Sequence, residues 1–132
     1  MSAVLDTHST LWYLQNSNEL SSRARDVIEA SVRNARAVHI SVISLIETIY
    51  LVERNRIPAA ALRRLQEALA DPGAGLTISP VDAHVATALE KVPRSIVPDM
   101  PDRIIAATAI HLDLPLITRD RRLRLAGIQT IW

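Results

Sequence analysis

Inside the apolar run "SVISLIETIYLVERN", residues 41–55, stands one carboxylate, Glu47, with Ile43 a helical turn before it and Tyr50 and Leu51 a turn after it. Read at helical spacing, those neighbours form a core-facing stripe. A charged side chain there must lose its charge, find a partner or bind a cation. Three aspartates offer it company: Asp6 ends the apolar segment at residues 2–5, Asp120 lies two residues beyond "PLIT", and Asp102 opens "DRIIAATAIHLDL". If four ionised carboxylates lay about 5 Å apart, each pair would repel by roughly 3 kcal/mol at an effective dielectric near 20. Six pairs approach about 20 kcal/mol, more than a domain's whole stability, an upper limit that protonation relieves. Protons or a divalent cation must therefore neutralise the group. The chain has no cysteine, so any metal is held by oxygen or imidazole, and oxygen ligands favour Mg²⁺ or Mn²⁺. Such ions activate water and stabilise a leaving oxygen in phosphodiester hydrolysis.

The acids can meet only if the chain folds as an open parallel sheet, whose ligands gather at the carboxyl ends of the strands. The pattern fits. Short apolar strands are expected at residues 2–5, in "AVHIS", "LTIS" and "PLIT", and in the closing "IQTIW". Between them lie helical stretches: one through Leu11, Trp12 and Leu14 to about Asn16, "LSSRARDVIEASVRNA" capped by Ser21 or Ser22, and the helix of Glu47. Further helices start with Pro58 in a first turn, with Asp82 as a cap, and in "RDRRLRLA". The three prolines of "VPRSIVPDMP" mark a loop. Alternating strands and helices predict an α/β/α sandwich around a parallel sheet, in one domain spanning residues 1–132.

Each acid has a plainer role open to it. Asp6 and Asp120 precede helices and serve equally well as N-caps. Asp102 falls in a first turn, where the helix dipole favours acids, and Asp99 three residues earlier competes for its role or caps the helix ahead of Pro101. Glu47 is mid-helix and caps nothing.

Composition narrows the partners. Hydrophobic residues make up 48% of the chain, so it is globular. The net charge of +1 argues against binding nucleic acid by bulk charge, yet the basic residues are arginines except for Lys91. Aromatics at 3% exclude extended base-stacking platforms. His39, Ser41, Ser44 and Glu47 interrupt the longest apolar stretch, so no membrane span is expected. No basic segment precedes an apolar one at the amino terminus, which makes cytoplasmic the default location.

With the acids placed, the sequence resembles the PIN-domain nucleases, and within them the VapC-type toxins of bacterial toxin–antitoxin pairs. "VLDTHSTLWYL" resembles the opening motif of one subgroup, "SVISLIET" the second acidic motif, and "DMPDRIIAATAIHLDLPLITRD" the third and fourth together; "GIQTIW" is similar to the subgroup's end. The resemblance covers nearly the whole chain. It implies an endoribonuclease dependent on Mg²⁺ or Mn²⁺, in which Asp6, Glu47, Asp102 and Asp120 are the catalytic, metal-holding acids. It also implies an RNA substrate, a homodimer, and inhibition by a VapB-like antitoxin; a solitary nuclease or a silent PIN-fold binding module are the other readings.

Around the acids, Thr118, Arg119 and Arg103 are candidates to bind substrate: Thr118 as a strand-end hydroxyl, the arginines through the fit of guanidinium to phosphate. Thr7 is a second hydroxyl within reach of the acids. His8 and His84 are expected to be solvated or at the core's edge. Trp12 and Tyr13 are expected to expose aromatic surface to a partner. Rival α/β folds fit poorly. A receiver-like phosphoacceptor wants a second acid beside Asp6, where Thr7 stands; a haloacid-dehalogenase-like phosphatase wants Asp where His8 stands; and Gly73, Gly75 and Gly127 form no dinucleotide loop.

Overall fold

The computed structural model describes residues 2–132. Strand β1 is Ala3–Leu5, followed at once by helix α1, Thr7–Leu14. Helix α2 (Ser22–Arg33) leads to β2 (Val38–Ser41), α3 (Val42–Glu53), α4 (Ala59–Ala70) and β3 (Leu76–Ser79). Then come α5 (Ala83–Ala88), extended by a 3₁₀ turn over Leu89–Lys91, α6 (Met100–Leu112), β4 (Leu116–Ile117), α7 (Arg121–Leu125) and β5 (Thr130–Ile131).

All strand pairings are parallel, in the order β3-β2-β1-β4-β5. The first strand is thus the central one. The chain fills one side of it with β2 and β3, then crosses to the other with β4 and β5. The carboxyl ends of β1 and β4, paired through Val4↔Leu116 and Leu5↔Ile117, form the switch point where such sheets open a crevice.

Strand alternation divides the core. Ala3 and Leu5 join Val38, Ile40 and Ile117 against Ala24 and Ile28 of α2 and Leu65 of α4. Val4 and Leu116 face the other way, onto Ile105, Ala106 and Ala109 of α6 and Leu123 of α7. Helices on both faces explain why the central strands are apolar throughout rather than alternating. The run Ile105–Ala109 is wholly buried. Its small side chains let α6 lie close under the sheet, which carries the start of α6 to the same rim as the ends of β1 and β4.

The sequence expectations need three corrections here. The buried residues of α3 are Ser44 and Thr48, not the stripe of Ile43, Tyr50 and Leu51; Tyr50 is 56% exposed. Apolar residues surround α3 on most sides, so periodicity could not pick the inward face, and small hydroxyl side chains won it. Thr48 Oγ1 donates to the Ser44 carbonyl at 2.7 Å, so its burial costs no unpaired group. Trp12 and Tyr13 pack partly buried against the core and do not form a free aromatic surface. Pro58 stands just before α4, at the cap position with φ −70° and ψ 150°, rather than inside its first turn.

Candidate active site

Two of the four acids, Asp6 and Asp120, arrive at the rim as helix N-caps, and a third, Asp102, one turn beyond a cap. Asp6 is the N-cap of α1, accepting from the Ser9 amide at 2.9 Å, and Asp120 is the N-cap of α7, accepting from the Arg122 amide at 2.9 Å. Asp99 caps α6 by accepting from the Asp102 amide at 3.1 Å, so the Asp102 side chain, in the first turn after Pro101, is not needed as the cap. Thr118 is buried, and its Oγ1 accepts from the Asp120 amide at 3.0 Å, fixing the turn between β4 and α7.

Asp6, Asp102 and Asp120 line one cavity of about 320 Å³, together with His8, Trp12, Arg119 and Arg122. Glu47 does not line it. Thr7 Oγ1 donates to Glu47 Oε1 at 2.6 Å and lies 3.0 Å from Ser44 Oγ. A threonine hydroxyl has one proton, and the carboxylate is the stronger acceptor, so Ser44 donates to Thr7 in turn. Thr7 is thereby the residue that aims Glu47.

Burial and neighbouring charges shift these acids in different directions. Burial, followed by Asp99, Glu47 and Asp120, pushes Asp102 up to about 7. Burial also raises Glu47, with Asp99 and Asp6 adding to the rise and the Thr7 hydroxyl and His8 opposing it. Asp120 goes the other way. Its hydrogen bond from the Arg122 side chain holds it below the usual carboxylate range. Arg122 Nη2 reaches Asp120 Oδ2 at 2.7 Å and Asp102 Oδ2 at 3.4 Å, and its Nε lies 3.1 Å from Asp120 Oδ1. The raised Asp102 and the one guanidinium shared by Asp102 and Asp120 ease the repulsion among the acids.

Does such a group suit a metal? Among the described residues no three histidine or carboxylate side chains converge tightly enough to hold an ion as they stand. The donor chemistry nonetheless suits a hard divalent cation: carboxylate oxygens alone, on rigid helix starts, with a surplus of negative charge that helps to push Asp102 up. Arg122 supplies positive charge at the point where two of these acids meet.

The other candidates separate. Arg119 lines the cavity, whereas Arg103 does not. The Arg103 guanidinium donates instead to the carbonyls of Val92 (3.0 Å) and Leu89 (3.2 Å), bracing the turn that follows α5. Successive helix residues point about 100° apart, so standing next to Asp102 turns Arg103 away from it. Thr118 shapes the backbone and does not line this cavity. Sequence reasoning gave no special weight to Arg122, though its place two residues after a capping aspartate lets it fold back over that cap. It also gave His8 a bystander's role. His8 is exposed, lines the cavity and contacts the Trp12 ring at a centroid distance of 5.5 Å.

Residues 3–128 match the family model of the PIN domain. Ribonuclease VapC22 of Mycobacterium tuberculosis is 37% identical over 123 residues, which cover 92% of this chain and 88% of that protein. Among solved structures, VapBC2 from Rickettsia felis, bound to a DNA fragment from its promoter, superposes with a TM-score of 0.74 at 18% identity, covering 99% of this chain and 98% of that one. DNA-bound VapBC from Salmonella typhimurium gives 0.73 at 20% identity, covering 99% and 97%. No helix among the described residues is long and apolar enough to cross a membrane. On the family match and the identity across nine-tenths of its length, the chain belongs to the PIN-domain family.

Proposed function

We propose that this protein is a metal-dependent endoribonuclease, the toxin of a toxin–antitoxin pair, acting through Asp6, Glu47, Asp102 and Asp120. The observation that carries the reading is the cavity at the β1–β4 switch point, walled by three carboxylates, one of which, Asp102, burial and neighbouring acids push up to about 7. The relative VapC22 is a ribonuclease, and the VapBC neighbours pair a toxin with its antitoxin, which supports RNA as substrate and a VapB-like antitoxin as partner. A cytoplasmic location follows from that role.

Asp6, Asp102 and Asp120 would hold Mg²⁺ or Mn²⁺, with Glu47 as the fourth acid. The ion, when bound, supplies an activated water and a charge opposite the leaving oxygen. The chain's own residues do the rest. Thr7 orients Glu47, Thr118 fixes the backbone of Asp120, and Arg122 balances the acids until a cation competes for them. Asp102, pushed up to about 7, would ionise more readily beside a bound cation.

Homodimerisation belongs to the same reading. Ile46 (44% exposed) and Tyr50 lie one turn apart on α3 and offer an apolar contact that the monomer leaves open. Light scattering of the purified chain is expected to give twice the protomer mass. For the activity, the expected result is cleavage of single-stranded RNA that requires Mg²⁺ or Mn²⁺ and stops with EDTA. Cleavage undiminished by exhaustive chelation would defeat the metal mechanism.

A further inference from the structure

Arg119 is held in a way that does not suit a phosphate clamp. Its guanidinium carbon lies over the Trp12 ring, 4.7 Å from the centroid, and its Nη1 donates to Glu19 Oε2 at 2.9 Å. The charge is thus already paired, while the side chain stays 57% exposed. What remains on offer is the planar outer face of the guanidinium. Trp12 in turn contacts Trp132, tilted at a centroid distance of 6.0 Å, and His8 at 5.5 Å. Trp12, His8 and Arg119 line the same cavity as Asp6, Asp102 and Asp120. The cavity therefore has a carboxylate wall and, facing the same space, a wall of rings and guanidinium.

We propose that this second wall seats a nucleobase: the base of a nucleotide flanking the scissile phosphate stacks on Arg119, which Trp12 backs and Glu19 orients. This rests on the ribonuclease reading and adds to it how the strand is held. Bases stack on guanidinium planes as they do on aromatic rings, and only unpaired bases present a free face, so the site selects single-stranded RNA. Stacking tolerates every base, so Arg119 contributes grip and register rather than sequence choice.

The test scans a single abasic ribose along a cleavable ribo-oligonucleotide, measuring KM and kcat with Mn²⁺ for the wild type and for Arg119→Lys. Lysine keeps the charge and loses the plane. For the wild type, one abasic position beside the cut is expected to raise KM about tenfold, the order expected for one stacked base. Arg119→Lys is expected to show that tenfold rise on intact RNA and no further rise with the abasic strand. In a Trp132→Phe background, Trp12 fluorescence should change on adding intact RNA and not on adding the abasic strand. If Arg119→Lys binds intact RNA as the wild type does, or keeps the full abasic penalty, the stacking proposal is overturned while the ribonuclease reading stands. If the wild type cleaves no RNA at all, both fall. Glu19→Gln provides a second variant, should Arg119→Lys fold poorly: it frees Arg119 without removing it and is expected to raise KM by a smaller factor.

Discussion

Asp6 and Asp82 perform the same local task. Each follows a strand, begins a helix and accepts a hydrogen bond from the amide three residues on, at 2.9 Å from Ser9 and 3.0 Å from Val85. Their surroundings differ completely. Asp82 follows β3, the outermost strand on its side, and is exposed, with the His84 and His111 rings nearby. Asp6 follows the central strand and meets Asp102 and Asp120 in the cavity at the switch point. Capping uses one carboxylate oxygen and leaves the other free. A cap and a site residue are therefore not alternatives, and position in the sheet decides whether the second oxygen has chemistry to do.

The largest expected effect separates these two regions by activity. Asp6→Asn, Asp102→Asn, Asp120→Asn and Glu47→Gln are each expected to lower RNA cleavage by about a hundredfold or more, the scale of losing a charge-stabilising or acid–base group. Asp82→Asn is expected to cleave at the wild-type rate. A steady-state assay on all five decides it, and Glu47→Gln cleaving normally would remove Glu47 from the site.

Next in size is the competition at Arg122. Because its guanidinium bridges Asp102 and Asp120, a divalent ion must displace it. Arg122→Ala is expected to tighten Mn²⁺ binding about tenfold by calorimetric titration, and to shift the Mn²⁺-dependent rise in melting temperature to lower concentration. Weaker Mn²⁺ binding would mean that Arg122 organises the acids instead of competing for them.

A third prediction concerns stability without metal. Asp102 is raised to about 7 in the folded protein, from 3.8 when unfolded. Between those values the folded state holds the extra proton, so this group's contribution is complete below the unfolded value and is lost as pH rises through the folded one. Asp102→Asn should remove that loss. At pH 8 the variant is expected to be more stable than the wild type by on the order of 1 to 3 kcal/mol, allowing for solvent screening. The gap should close toward pH 4. Denaturant melts with EDTA at both pH values measure it.

Much of this was legible in the sequence because it depends on strand ends. Asp6, Asp102 and Asp120 are placed by where short apolar runs stop and helices begin, and both signals are local. The inward face of α3 was not legible, because a helix apolar nearly all round leaves its orientation to its neighbours: Ser44 meets the Thr7 hydroxyl, and Tyr50 is left outside. Glu47 was singled out from a stripe of which Ile43 packs against the core and Tyr50 does not, yet burial still raises it. Nor could adjacency to an acid tell Arg103 from Arg122. Helix geometry points the first toward the carbonyls of Leu89 and Val92, while a cap turn folds the second back onto Asp120.

The smallest expected effect isolates capping from chemistry. Asparagine caps a helix about as well as aspartate, whereas alanine does not. Asp82→Ala therefore loses a cap alone: its melting temperature should fall by roughly a few degrees, with kcat/KM for RNA unchanged. Asp6→Asn should keep its cap, because the amide oxygen still accepts from Ser9, and should melt no lower than the wild type without metal while cleavage collapses. Asp6→Ala should show both losses, and its melting point should fall below that of Asp6→Asn by about the amount Asp82→Ala costs. Melting curves in EDTA beside cleavage rates, for the wild type and these three variants, measure both losses. If Asp6→Asn and Asp6→Ala melt alike, the Ser9 hydrogen bond contributes nothing and Asp6 is held in place by the rim alone. If Asp82→Ala cleaves poorly at full stability, the active region extends to the sheet's edge and the contrast between the two caps is wrong.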